Sequence, residues 1–219
     1  MEGSVAPLVS HYFDDDPATP SDQRTVPLVL PDLAVRLTTD TGVFGREAVD
    51  PGTRLLLLDG PSVPAAGDLL DLGCGYGPVT VALATRAPGA TVWAVDVNRR
   101  ALALTAANAR AAGCTNVQVV LPDDVPDQVR FAAIWSNPPI RIGKEALHAL
   151  LLRWLTRLAP GAQAVLVVHK HLGADSLTRW LTGTGHATER LGSRMGYRLL
   201  AVAAADGTRA SDAGTIGAT

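Results

Sequence analysis

The segment Asp68-Leu69-Leu70-Asp71-Leu72-Gly73-Cys74-Gly75-Tyr76-Gly77-Pro78 runs an apolar strand into a glycine-rich turn and then into a helix start. Glycine reaches positive φ without steric cost and lets the backbone come close to a ligand, and the exposed N–H groups of a helix start suit polar ligands. A chain with this element needs a sheet in which the strand's carboxyl end opens onto a crevice.

The rest of the chain supplies that sheet. Short β-branched or apolar runs recur at 69–72, 91–97, 117–121, 131–135 and 164–168. All but the third lead into a helix-like stretch, whereas 122–128 is short and interrupted by proline. Strands alternating with helices predict a parallel, doubly wound α/β sheet. The runs 186–191 and 198–203 read as two strands of an antiparallel edge hairpin. Before the glycine loop, 26–30 and 33–37 flank Pro31-Asp32 and predict a β-hairpin. Residues 1–24, with Asp14, Asp15 and Asp16, read as an arm anchored at Tyr12-Phe13; 25–205 read as one domain and 206–219 as a disordered tail.

Composition excludes several classes. The chain has 219 residues, 47% of them hydrophobic, with 19 basic against 21 acidic side chains and a net charge of -2, so any nucleic-acid contact must be local rather than a bulk-charge effect. The cysteines, Cys74 and Cys114, are too few for a disulfide framework or a thiolate zinc site. Apolar runs such as Leu55 to Leu58 are strand-sized, and the first residues lack a secretory pattern. The expectation is a cytoplasmic protein with no membrane segment. His169-Lys170-His171 has no accompanying carboxylate or cysteine, so no metal site is expected.

Spacing narrows the ligand. The dinucleotide fingerprint places glycines at its first, third and sixth positions, but here they fall at the first, third and fifth, and Pro78 takes the sixth. This favours S-adenosyl-L-methionine over a nicotinamide cofactor. Asp71 is placed to hold the amino group of the donor's methionine part, a position where a pyrophosphate would be repelled. Asp96, at the end of the next strand, suits the two ribose hydroxyls, and its other reading, a helix N-cap, falls more naturally to Asn98. Asp123 and Asp124 follow the third strand, and they read equally as acceptors for an adenine amino group or as turn residues.

The fourth strand ends in Ser136-Asn137-Pro138-Pro139 at the same edge. Two prolines block helix entry and stiffen the turn, so the Asn137 side-chain oxygen and the Pro138 carbonyl are expected to face the crevice as acceptors. Two acceptors converging on one point suit a planar amino group. Such a site needs no strong base, because the proton leaves through Asn137, the Pro138 carbonyl or water once transfer is under way.

With Asp71, the three glycines, Asp96 and Asn137-Pro138-Pro139 in register, the chain resembles class I S-adenosylmethionine-dependent methyltransferases. Within them it is similar to the small methyltransferase domain of RsmC-type ribosomal RNA guanine methyltransferases. His11-Tyr12-Phe13, Leu37-Thr38-Thr39-Asp40-Thr41-Gly42-Val43-Phe44 and Asp50-Pro51-Gly52-Thr53 carry the likeness further. It implies a Rossmann-like seven-stranded sheet with an antiparallel last strand and methylation of a guanine amino group in ribosomal RNA, within a ribosomal subunit. Asn137, Pro138 and Pro139 would be catalytic. Asp71, Gly73, Cys74, Gly75, Gly77, Asp96, Val97, Asp123 and Asn137 would hold the donor. Phe13, Phe44, Ile140, Arg141 and Lys144 would face the substrate, with Arg153, Arg157, Lys170, Arg190, Arg194 and Arg198 as further contacts to RNA.

Two departures stand out. Ile140 replaces the aromatic residue that stacks on the target base, and the amino-terminal domain of two-domain relatives is absent from this sequence. The alternatives are transfer to a protein glutamine or an adenine amino group, or a donor-binding module without turnover.

Overall fold

Parallel neighbours in a sheet must be joined by a crossover, and here a helix serves every crossover but one. The computed structural model describes residues 19–205. After the hairpin strands β1 (Arg24–Leu30) and β2 (Leu33–Thr39) come α1 (Pro51–Asp59), β3 (Ala66–Leu72), α2 (Pro78–Arg86), β4 (Gly89–Val95), α3 (Arg99–Ala111) and β5 (Val117–Val120). Then follow β6 (Phe131–Ser136), α4 (Lys144–Leu155), β7 (Leu158–His169), α5 (Ala174–Gly183), β8 (Thr188–Arg194) and β9 (Tyr197–Ala203). Between β5 and β6 there is only the 3-10 turn Pro122–Asp124, as the prolines there dictate.

The sheet order is β5-β4-β3-β6-β7-β9-β8, and β9 alone runs opposite to the other six strands. This is a seven-stranded Rossmann-like α/β sheet with the last strand reversed, accompanied by the separate β1–β2 hairpin. The chain moves outward from β3 through β4 to β5, then returns to place β6 on the other side of β3. The crevice at the carboxyl ends of β3, β4 and β6 is therefore the topological switch point.

Both sheet faces are buried. Leu69, Trp135, Val165 and Val167 point to one side, against α1, α2, α3 and the hairpin. Leu70, Ile134, Ala164 and Leu166 point to the other, against α4 and α5. Alternate residues of one strand thus enter two cores, which is why these strands read as continuous apolar runs. No helix of the described residues is long and apolar enough to cross a membrane.

Several boundaries differ from the sequence reading. Leu55 to Leu58, a run read from sequence only for its length, lie in α1, whose start is set by the N-cap Asp50, accepting the Thr53 N–H at 3.1 Å, and by Pro51 in the first turn. Strand β4 ends at Val95, leaving Asp96 and Val97 in the turn. Strand β7 begins at Leu158, with a register break between the Phe131 and Ala133 pairings. The end of the arm docks: Ser21 and the Asp22 N–H both donate to Asp40 at 2.6 Å, and Arg100 donates to the Thr19 carbonyl at 2.8 Å. Phe13, with residues 1–18, and the tail 206–219 lie outside the described residues.

Asn108 of α3 joins the hairpin to the sheet. Buried at 3% exposure, it accepts from the Thr38 N–H at 2.8 Å and donates to the carbonyls of Thr38 and Tyr76 at 2.8 and 2.7 Å. Removing it strands three backbone groups. Asn108→Ala is expected to cost about 2–4 kcal/mol in urea unfolding. A loss below about 0.5 kcal/mol, the level of an ordinary surface substitution, would show that this junction does not hold the hairpin.

Candidate functional site

The crevice begins where the chain reverses after β3. Gly73, Gly75 and Gly77 have φ of 76°, 56° and 91°, a left-handed sequence that side chains resist. The Gly73 and Cys74 N–H groups both donate to the Val95 carbonyl, at 2.8 and 3.1 Å, so the turn hangs from the end of β4. Space above Gly73 and Gly75 is open, and a Cβ at either would meet nothing within 4 Å. At Gly77 a Cβ would instead press on Thr105 at 3.1 Å, so this glycine serves the packing of α2 against α3.

Two carboxylates flank the turn. Asp96 accepts from the Gly75 N–H at 2.9 Å and the Asn98 N–H at 3.0 Å, and burial raises its carboxyl above the ordinary range. Asn98 takes the N-cap role, accepting from the Ala101 N–H at 3.0 Å while donating to the Gly42 carbonyl at 2.9 Å. That second bond draws Val43, Phe44 and Gly45 to the crevice wall. Asp71 is 2% exposed and accepts from the Thr80 hydroxyl at 2.6 Å. Burial, with a smaller push from the Asp96 charge, raises its carboxyl to about 7.

The opposite wall is the end of β6. The Ser136 hydroxyl donates to the Leu72 carbonyl at 2.7 Å, fixing this end against β3. The Asn137 amide nitrogen then donates to Asp50 Oδ1 at 2.8 Å and to Thr53 Oγ1 at 3.0 Å. Its oxygen accepts nothing from the described residues, and Asn137 lines the cavity. The Pro138 carbonyl departs from expectation. It accepts the Ile140 N–H at 2.8 Å across Pro139, whose φ of -74° and ψ of 73° form an inverse γ-turn, so only its second lone pair is available.

These elements enclose a cavity of about 520 Å³, within the usual range for a small-molecule site. Of the residues singled out from sequence, Asp71, Gly73, Cys74, Gly75, Asp96, Val97, Asn137, Pro138, Pro139, Phe44, Ile140 and Arg141 all line it. Gly77 and Lys144 do not line it; Lys144 opens α4 after Gly143, which has a φ of 94°. Asp123 is turned away. Its side chain is 89% exposed and pairs with Arg153 at 2.8 Å, and Pro122 takes the place at the cavity wall.

The cations divide in the same way. The Arg157 guanidinium packs over Trp154 and Phe131 at 5.2 and 5.4 Å, and its carbonyl accepts the Phe131 N–H at the amino end of β6, far from the crevice. Arg198 is paired with Asp175. Arg141, Lys144, Lys170, Arg190 and Arg194 have no acidic partner among the described residues. There is also no group of three His, Cys, Asp or Glu side chains among the described residues that could hold a metal ion.

Other lining residues were not assigned from sequence. Asp50 and Thr53 enter from the start of α1, and Tyr197 and His169 from the facing ends of β9 and β7, with their rings edge to face at 4.9 Å. The Tyr76 hydroxyl is buried without a partner among the described residues, and burial raises its pKa well above the ordinary value. Asp50-Pro51 did carry a local signal for a helix start. The remaining contacts join positions far apart in the chain and have none.

Residues 34–201 match the family model described as the methyltransferase small domain. The Bacillus subtilis protein YbxB is 33% identical over 196 residues, covering 88% of this chain and 98% of its own length. Ribosomal RNA small subunit methyltransferase C of Pseudomonas aeruginosa is 34% identical over 150 residues, 66% of this chain and 45% of that protein. The chain thus spans nearly all of the first and under half of the second. Among solved structures, the T. thermophilus 16S rRNA N2 methyltransferase RsmC, in complex with AdoMet and guanosine, superposes with a TM-score of 0.69 at 25% identity, covering 85% of this chain and 52% of that one.

The raised pKa of Asp71 bears on stability. A carboxyl that holds its proton more tightly folded than unfolded stabilises the fold at low pH and gives that up as pH climbs from the unfolded value near 4 to about 7. Without ligand, Asp71→Asn is expected to be more stable than the parent at pH 8 by roughly 2–4 kcal/mol, with little difference at pH 4. Urea unfolding at the two pH values checks this; a variant less stable at pH 8 would show that Asp71 is held ionised.

Proposed function

We propose, for a chain that belongs to the methyltransferase small-domain family and takes S-adenosyl-L-methionine as its methyl donor, that the acceptor is the exocyclic amino nitrogen of a guanine in ribosomal RNA. The observation that carries this reading is the Asn137 carboxamide, whose nitrogen is tied to Asp50 and Thr53 while its oxygen is left to the cavity. An amino group donates hydrogen bonds, so an acceptor fixed at the cavity wall selects and orients it.

The crevice fits the donor. Asp96, already pinned by two backbone N–H groups, has acceptor capacity left for the ribose hydroxyls. Asp71 sits deeper, where an ammonium would favour its ionised form. The open space over Gly73 and Gly75 admits the methionine part against the backbone, and the Tyr76 hydroxyl, without a partner among the described residues, suits a polar atom of a ligand. Val95, Val97 and Pro122 offer apolar surface for a flat heterocycle. When bound, the donor supplies a methyl made electrophilic by its sulfonium.

The chain's own part is placement. Asn137 Oδ1 and the remaining lone pair of Pro138 draw the amino hydrogens toward the wall and turn the nitrogen lone pair to the cavity. The apolar lining of Ile140, Leu150 and Pro139 keeps water from the reacting atoms. Proton loss needs no strong base, since the methylated nitrogen becomes acidic only as transfer proceeds.

Guanine is favoured over other amino acceptors by the relatives: one is named as a small-subunit ribosomal RNA methyltransferase, and the RsmC structure holds guanosine beside AdoMet. Phe44, 52% exposed at the cavity rim, offers the ring face that Ile140 does not. Arg141, Lys144, Lys170 and Arg194 supply the phosphate contacts. Residues 25–205 make up the catalytic unit.

The test is tritiated methyl transfer to small ribosomal subunits from a strain lacking the gene, with the modified nucleoside identified by mass spectrometry. Asn137→Ala is expected to lower kcat by at least about a hundredfold with S-adenosylhomocysteine affinity within about threefold of the parent. Asp96→Ala is expected to weaken that affinity by at least about tenfold. An Asn137→Ala protein that works at the parental rate, or label found in adenine or protein glutamine, would overturn the assignment.

A further inference from the structure

We propose that Asp50 is a positioning residue, whose carboxylate at the start of α1 decides which end of the Asn137 carboxamide faces the cavity. The inference rests on the reading of Asn137 as the group that binds the acceptor.

A carboxamide is nearly symmetric in shape but opposite in chemistry at its two ends, so rotation by half a turn exchanges acceptor for donor at little steric cost. A flipped Asn137 would present N–H to an amino group and repel it. Something beyond packing must therefore choose the orientation. Thr53 Oγ1, at 3.0 Å, does not, because a hydroxyl either donates or accepts. The Asp50 carboxylate only accepts, and its Oδ1 lies 2.8 Å from the Asn137 nitrogen. It tolerates the nitrogen there and rejects the oxygen.

Asp50 is itself held firmly. The same Oδ1 caps α1 through the Thr53 N–H at 3.1 Å, and Pro51 restricts the backbone that follows. The Tyr197 hydroxyl donates to Oδ2 at 3.5 Å. Gly52 makes this closure possible, since a Cβ there would strike the Tyr197 ring at 2.6 Å and Asp50 Oδ1 at 2.9 Å. Helix α1 and the tip of β9 thus form a platform under a side chain 87 residues away from Asp50.

Serine and asparagine separate this role from capping. Both cap helices about as well as aspartate, but serine is too short to reach Asn137, whereas asparagine keeps an oxygen at the Oδ1 position. Asp50→Ser is expected to unfold within a few degrees of the parent and to bind S-adenosylhomocysteine within about threefold, yet to lose at least about tenfold in kcat. Asp50→Asn should stay within about threefold in all three.

A readout independent of turnover is hydrogen exchange at the Asn137 side-chain amide in ¹⁵N-labelled protein, assigned by its loss in Asn137→Ala. Exchange is expected to be at least tenfold faster in Asp50→Ser than in the parent, and near-parental in Asp50→Asn. The proposal is overturned if Asp50→Ser keeps parental kcat or exchange, or if Asp50→Asn is as impaired as Asp50→Ser. If Asn137→Ala itself turns over normally, the acceptor reading fails, while the exchange rates still decide whether Asp50 holds the side chain.

Discussion

The Asp96 carboxylate bonds at once to the N–H of Gly75 and to that of Asn98, and so ties the turn after β3 to the turn after β4. The Val95 carbonyl reinforces the link by accepting from Gly73 and Cys74. These bonds close the floor of the crevice with backbone, which only left-handed glycines allow. From this junction the other walls follow. Asn98 carries the link on to Gly42, and hence to the loop bearing Phe44, while Asn108 fastens the hairpin behind it. Burial of Asp71 and Asp96 beside this backbone raises both carboxyls, and a cation beside Asp71 would favour its ionised form.

What was legible in the sequence is what depends on neighbours in the chain. The hairpin around Pro31-Asp32, the glycine turn, the Asn98 cap and the proline break after β5 each follow from local chemistry and appear where that chemistry puts them. The failures share a different cause. Asp123 was open between ligand and turn, and Arg153, thirty residues on, draws it outward. The Pro138 carbonyl was expected free, but the γ-turn that makes the motif rigid also uses one of its lone pairs. Asp50 and Tyr197 matter through contacts whose partners lie on other elements, and no spacing in one sequence reports those.

For the proposed RNA substrate, a chain of net charge -2 must keep its cations where that substrate passes. Many of its arginines are structural: Arg86 clamps Asp32 at the hairpin turn, Arg46 pairs with Asp22, and Arg157 covers two aromatic rings. Arg141 at the cavity rim, Lys144 at the start of α4, Lys170 after β7 and Arg194 at the end of β8 all lie toward the carboxyl edge of the sheet. This division of labour reconciles the overall charge with the proposed substrate, and it puts recognition at the rim rather than across the whole surface.

The most direct test of the account is a crystal structure with S-adenosylhomocysteine and guanosine bound together. The account predicts the ribose hydroxyls of the donor on Asp96 and the guanine amino nitrogen within hydrogen-bond distance of Asn137 Oδ1, with the Asn137 nitrogen still on Asp50. Guanosine bound elsewhere, or seated with its amino group away from Asn137, would contradict it.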